Sequence, residues 1–175
     1  MDSSEFFHFL DSRSSVRQYS DEPITDEDIT YLLDCAISGP SAGNLEAWDA
    51  VLVRDKARKE ELSDSALGQQ HVREAPAVLV LCANYVRSMS RYGERGILYA
   101  VQDATIACTY LMLAAHAIRI RSCWVGAFDE ESVKALLGLP AHVRPVALLC
   151  IGRGSLPAEQ TGRMAVAEHL HHEVW

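Results

Sequence analysis

Positive charge is scarce in this chain. Its 175 residues carry 16 Lys and Arg against 24 Asp and Glu, a formal net charge of −8. A general nucleic-acid binder needs a basic face, so that class is set aside, although a local basic pocket for one phosphate remains open. There is no C-x-x-C pair. The five cysteines, Cys35, Cys82, Cys108, Cys123 and Cys150, are dispersed and mostly sit in apolar runs. That pattern reads as reduced core thiols of an intracellular, cytoplasmic protein rather than a disulfide framework. The N-terminal stretch MDSSEFFHFLD has no basic region followed by a long apolar one, so no signal peptide is expected. The chain also lacks G-x-S-x-G, H-E-x-x-H and a P-loop, and it has no internal repeat, low-complexity tract or linker.

What is present is a composition of 49% hydrophobic and 23% charged residues, which suits one globular domain over residues 1–175. The segment 97–115, ILYAVQDATIACTYLMLAA, approaches a membrane-spanning length. Gln102 and Asp103 inside it are penalised in a bilayer, so no membrane partner is expected. A helix apolar nearly all round otherwise belongs in a core or a subunit interface.

Periodicity sets out the elements. Phe6, Phe9 and Leu10 share one helical face. Thr25 is placed to cap the next helix, with Asp28 completing a capping box; Ile29, Leu32, Leu33, Ala36 and Ile37 follow at helical spacing until Gly39-Pro40. WDAVLV reads as a strand, DKARKEELSDSA as an exposed helix, and AVLVLCA as a strand covered on both faces. A long helix over 96–119, a strand in SCWVGAF, a short helix in DEESVKALLGL and a strand in RPVALLCIG complete the main body; the tail is polar and weakly helical. Strands separated by helices predict an α/β or α+β sheet with helices on both faces.

Several short stretches could carry chemistry. Arg13-Ser14-Ser15-Val16-Arg17 puts two guanidiniums around two hydroxyls, a set that suits phosphate oxygens or simply a solvated loop. In GPSAGN, Pro40, Ser41 and Ala42 are small enough for close backbone approach, and Asn44 offers donors and an acceptor. A helix end and turn account for the same residues. Trp124-Val125-Gly126 closes a strand with backbone that could face a flat ring, or is a plain strand end. Gly152-Arg153-Gly154 lacks the third glycine of a dinucleotide fingerprint. His169, His171 and His172 could hold a metal but lie in a terminal segment without a carboxylate signature, so a surface role is favoured and no metal is expected.

Taken in order, RSSVRQYSDEPI, GPSAGNxxxW, EAPxVLV, YxxQDAxxA, CWVGAFDEE and LGLPxHxRPVA resemble the nitroreductase family of FMN enzymes over roughly residues 10–175. The resemblance implies an α+β three-layer sandwich, a mixed central sheet flanked by helices, and an intertwined homodimer with FMN sites at the subunit interface. Carried over residue by residue, it assigns Arg13 and Ser15 to the FMN phosphate, with Ser14 between them among the cofactor-binding residues and Arg163 joining from the tail. Arg17 falls at the pyrimidine edge, with Gln69 beside it. Pro40, Ser41, Ala42 and Asn44 would come from the second subunit. Trp124, Val125 and Gly126 would pass beside the ring. Tyr92 and Phe128 would line the substrate pocket. No side chain is assigned as a catalytic acid or base.

The implied reaction is ping-pong transfer from NAD(P)H to a nitroaromatic or quinone-like acceptor. Flavin reduction, dehalogenation or flavin breakdown on the same fold, or a low-turnover flavin-binding module, are the alternatives. Ser14, Glu46-Ala47 and the short span between Ala83 and Gly96 depart from frequent family patterns.

Overall fold

Two capping boxes start the chain's first helices. In the computed structural model, which describes residues 2–156 and 161–175, Asp2 accepts from the Glu5 N–H at 2.9 Å and Glu5 accepts from the Asp2 N–H at 2.8 Å. Thr25 and Asp28 exchange the same pair of bonds at 3.1 and 3.0 Å. Each box satisfies N–H groups that a helix start leaves orphaned. They open α1 (Ser3–Ser12) and α2 (Asp26–Ile37).

The sheet comprises β1 (Trp48–Val53), β2 (Ala77–Asn84), β3 (Arg121–Val125) and β4 (Val143–Gly152), in the order β1-β2-β4-β3. β2 and β4 sit in the middle, and their side chains alternate between two cores. Ala77, Leu79 and Leu81 with Ala147, Leu149 and Ile151 face α2 and α6 (Arg95–Ala117). Val78, Val80 and Cys82 with Leu148 and Cys150 face α3 (Lys56–Ser65), α4 (Gln70–Glu74) and α7 (Glu130–Leu137). The two-residue period of a strand is what lets one apolar run serve both sides. The result is the expected three-layer α+β sandwich.

The expected mixed sheet is corrected in one respect. Every pairing among these strands is antiparallel. Among the described residues, the one parallel contact is an isolated bridge from Ser15 to Ser122. A short helix, α5 (Tyr85–Tyr92), also occupies the stretch before α6. Its glycine partner is Gly96, where a Cβ would lie 2.6 Å from the Met89 backbone nitrogen.

α6 is long and apolar enough to cross a membrane by length and composition, yet one of its faces is sealed against the sheet. Ala100, Ala104, Ala107, Cys108, Leu111, Ala114 and Ala115 are buried. The other face is not covered by this chain: Ile97 is 40% and Leu98 43% exposed. All-round apolarity therefore corresponds to burial on one side only within a single chain. All five cysteines are free thiols, and Cys35 alone among them is half-exposed rather than buried.

Candidate functional site

The segment after α1 is laid along the free edge of β3. Val16 donates its N–H to Ser122 O at 3.0 Å, and Ser20 donates to Arg153 O at 2.8 Å. The Tyr19 hydroxyl donates to Val16 O at 2.8 Å, and Ser12 Oγ meets His116 Nε2 at 2.9 Å. Two glycines make room for this crossing. A Cβ on Gly152 would lie 2.6 Å from both Tyr19 Cδ1 and Pro76 Cδ, and one on Gly154 would lie 2.5 Å from Gln18 O. The Gly-Arg-Gly stretch is thus a seat for the N-terminal segment, which accounts for its glycines without a nucleotide.

Arg13 and Arg17 share with Arg58 and Arg119 a guanidinium without a carboxylate partner among the described residues, but they alone flank the Ser14–Ser15 hydroxyls. Arg54, Arg73, Arg87, Arg144 and Arg153 each pair with a carboxylate. Among the described residues, the guanidiniums of Arg13 and Arg17 have neither an ion pair nor a hydrogen-bond partner. Their field is felt nearby. Burial pushes the His71 imidazole below its ordinary value, and Arg17 pushes it further. Burial does the same to His116, with Arg121 and Arg13 adding to it. Burial raises the Cys123 thiol, against the pull of Arg17 and Arg13. An acidic chain that leaves two arginines four residues apart unneutralised around two hydroxyls offers an anion site. A recess of about 230 Å³ lies there, lined by Ser15, Val16, Arg17, Gln18 and Ser155. Ser14 is half-buried beside it.

β3 delivers the next group. Trp124 is partly buried against the α2–α6 core, Val125 is buried, and Gly126 is exposed at the strand end. A Cβ on Gly126 would meet only the Trp124 ring, at ordinary contact distances of 3.5 Å to Nε1 and 3.8 Å to Cδ1, so nothing among the described residues demands glycine here. Gln69 reaches this turn: its Nε2 donates to Ala66 O at 2.9 Å and Ala127 O at 3.1 Å. Both amide protons are thereby used, and Oε1 is left as an acceptor. Phe128 packs against the opposite core. With Gly126, Glu130 and Arg144 it lines a second recess of about 230 Å³.

The GPSAGN stretch forms a separate corner. Ala42–Asn44 make a 3₁₀ turn, and Gly43, Asn44 and Glu46 have φ of 60°, 58° and 48°. Asp103, a buried residue of α6, accepts from the Ala42 N–H at 2.9 Å and from the Ala47 N–H at 3.1 Å. Ser41 Oγ accepts from the Glu46 N–H at 3.0 Å. Pro40 is exposed and Asn44 projects at the surface. Tyr92 lies against this turn; a Cβ on Gly43 would be 2.3 Å from its hydroxyl. The structure therefore places Tyr92 with the GPSAGN loop and Phe128 with Gly126. Arg163 lies exposed in the tail, donating to Thr161 O at 3.5 Å, and no hydrogen bond or ion pair joins it to the Arg13–Arg17 segment. His169, His171 and His172 are exposed, with His171 stacked on Trp175 at 4.3 Å. Asp103 is the residue of this corner to which sequence reading gave no role. Its signals were a carboxylate inside an apolar helix and its place in the YxxQDAxxA stretch, neither of which names a partner for it.

The model of the nitroreductase family matches residues 10–73 and 65–153. The chain belongs to the nitroreductase family. It is 34% identical over 176 residues to an NADH dehydrogenase of Thermus thermophilus, spanning 85% of this chain and 84% of that one. It is 28% identical over 174 residues to an FMN reductase [NAD(P)H] of Bacillus subtilis, spanning 91% and 69%. The solved structure of NfrA2 from B. megaterium superposes with a TM-score of 0.91 at 28% identity, covering 100% of this chain and 76% of that one.

Proposed function

We propose that this chain is an FMN-dependent oxidoreductase that takes electrons from NAD(P)H and passes them, in ping-pong fashion, to a nitroaromatic or quinone-like acceptor. The observation that carries this reading is the unpaired Arg13–Arg17 pair around Ser14 and Ser15, a ready phosphate site in a chain of net charge −8. The donor set fits FMN. Arg13, Ser14 and Ser15 would hold the phosphate, and Arg163, which makes no hydrogen bond or ion pair with them within this chain, would join them from the tail. Arg17 places a cation at the pyrimidine edge, where reduction builds negative charge. Gln69 accepts there through its remaining oxygen. Trp124, Val125 and Gly126 supply flat backbone beside the ring, and the bare Gly126 admits it closely. When bound, FMN supplies the two-electron chemistry; the protein supplies position and electrostatics.

In this reading the molecule is a cytoplasmic homodimer. The uncovered face of α6, with Ile97, Leu98 and Tyr110 exposed, and Phe6 and Phe7 on α1 give a second copy apolar surface to cover. Pro40, Ser41, Ala42 and Asn44 then reach the cofactor of the other subunit. Tyr92 comes with that loop and Phe128 with the ring, so the acceptor pocket draws on both.

The test is the absorption spectrum of the purified protein after FMN addition and desalting, before and after anaerobic NADH or NADPH. Flavin bands that bleach, and recover with a quinone, a nitroaromatic or free flavin, support the reading and rank the acceptors. A protein that retains no FMN overturns it.

A further inference from the structure

We infer that Asp103 is a positioning residue for the proposed flavin site and acts across the subunit boundary, by holding the Pro40–Asn44 loop in the shape that covers the second copy's cofactor. The inference rests on the function proposed above. Asp103 is 2% exposed, and each of its carboxylate oxygens takes one backbone N–H, from Ala42 at 2.9 Å and Ala47 at 3.1 Å. Those two donors bracket the whole turn. Between them lie Gly43, Asn44 and Glu46, all with left-handed φ, so the turn is held in a shape that the non-glycine residues disfavour on their own. Arg91 grips it from the other side, its Nη1 donating to Gly43 O at 3.3 Å.

Only a carboxylate satisfies both donors. An asparagine has the same shape but one oxygen, and its NH₂ would face an N–H. The bonds are charge-assisted, which makes them the stronger kind. None of them runs to Arg13, Arg17, Gln69 or Gly126. Asp103 therefore bears on the loop and not on its own chain's phosphate and ring residues. If the loop serves the partner's cofactor, damage at Asp103 must be felt in the other subunit.

Heterodimers with two different affinity tags test this. One chain carries Arg13→Ala with Arg17→Ala, the other Asp103→Asn, and FMN stoichiometry and affinity are measured on the purified pair. The chain with intact Arg13 and Arg17 receives its loop from the partner with intact Asp103, so one full-affinity site per dimer is expected. The reciprocal pair, a triple-variant chain with a wild-type chain, is expected to have none. The Asp103→Asn homodimer should bind FMN about tenfold more weakly or worse, the scale of one lost charged hydrogen bond.

No full-affinity site in the first pair and one in the second would overturn the inference, because Asp103 would then act within its own chain. So would full sites in both pairs. Thermal melting of the FMN-free homodimers is run alongside, and Asp103→Ser, which keeps one acceptor, replaces the asparagine variant if that variant fails to fold. A wild-type protein that is monomeric or takes no FMN refutes the underlying function, and this inference with it.

Discussion

Gly152→Ala tests whether the N-terminal segment is seated as described. The added methyl would lie 2.6 Å from Tyr19 Cδ1, 2.6 Å from Pro76 Cδ and 3.0 Å from Pro76 Cγ. Ordinary carbon contacts are about 3.5–4.0 Å, so about 1 Å of movement is needed on two sides at once. Neither neighbour yields easily. Pro76 is a rigid ring leading into β2, and Tyr19 is tethered through its hydroxyl to Val16 O at 2.8 Å. Overpacking a built interior costs about 1–3 kcal/mol, and two stiff walls put this site at about 2–3 kcal/mol. For a chain of this size that corresponds to a melting temperature lowered by ~4–12 °C.

The assay is thermal unfolding without FMN at one fixed protein concentration, since association would otherwise move the midpoint. FMN titration of the same protein reads the second consequence. Displacing Tyr19 drags Val16 and Arg17 with it, so affinity should fall as well. Tyr19→Ala in the same background removes one wall, and the double variant should lose less than the two single losses added together. A Gly152→Ala protein that melts within about 1 °C of wild type and binds FMN normally would refute the crossing of this segment over the end of β4.

Arg13→Ala and Arg17→Ala should each weaken FMN binding by about tenfold or more, the scale of a lost charged hydrogen bond, and flatten its dependence on salt; equilibrium dialysis at two ionic strengths checks both. His71 and His116 are held below the ordinary imidazole value of 6.5, chiefly by burial. The unfolded chain therefore binds more protons just below that value, so stability is full above pH 6.5 and is lost as pH falls through the depressed values. Urea unfolding from pH 7.5 to 5 should show that slope, and His116→Gln should reduce it. Burial raises the thiols of Cys108, Cys123 and Cys150 and pushes Cys82 up to about 12, so a thiol reagent near neutral pH should modify the native protein at Cys35 and the other four only after denaturation. Thr25→Ala should cost about 1 kcal/mol through loss of the α2 cap, read from the urea midpoint.

Much of this fold was legible because its signals are local. Thr25 and Asp28 sit three apart, and that spacing alone writes a capping box. WDAVLV is β1 without a shifted end, and AVLVLCA extends by one residue to Asn84. α5 was missed although Tyr85, Met89 and Tyr92 share a helical face, because it is a short segment of eight residues, Ser88 is its one buried residue, and Asn84 caps it from within a strand end. The mixed sheet came with the family resemblance. It failed here because strand direction depends on which strands meet, and no window of sequence holds that.

The chemistry divides in the same way. The sequence by itself determined the donor types, two arginines around two hydroxyls and a run of small residues before Trp48, because residue identity and close spacing need no fold to be read. Only the tertiary structure decided that the two arginines go unpaired while five others find carboxylates. Only it showed that Gly152 and Gly154 serve a chain crossing, with contacts more than 130 residues apart in sequence. Asp103 is the sharpest case. Its partners lie 61 and 56 residues away, so its carboxylate reads as a defect in an apolar helix until folding brings two backbone N–H groups to it. A buried charge is tolerable only where its partners are, and folding alone places them.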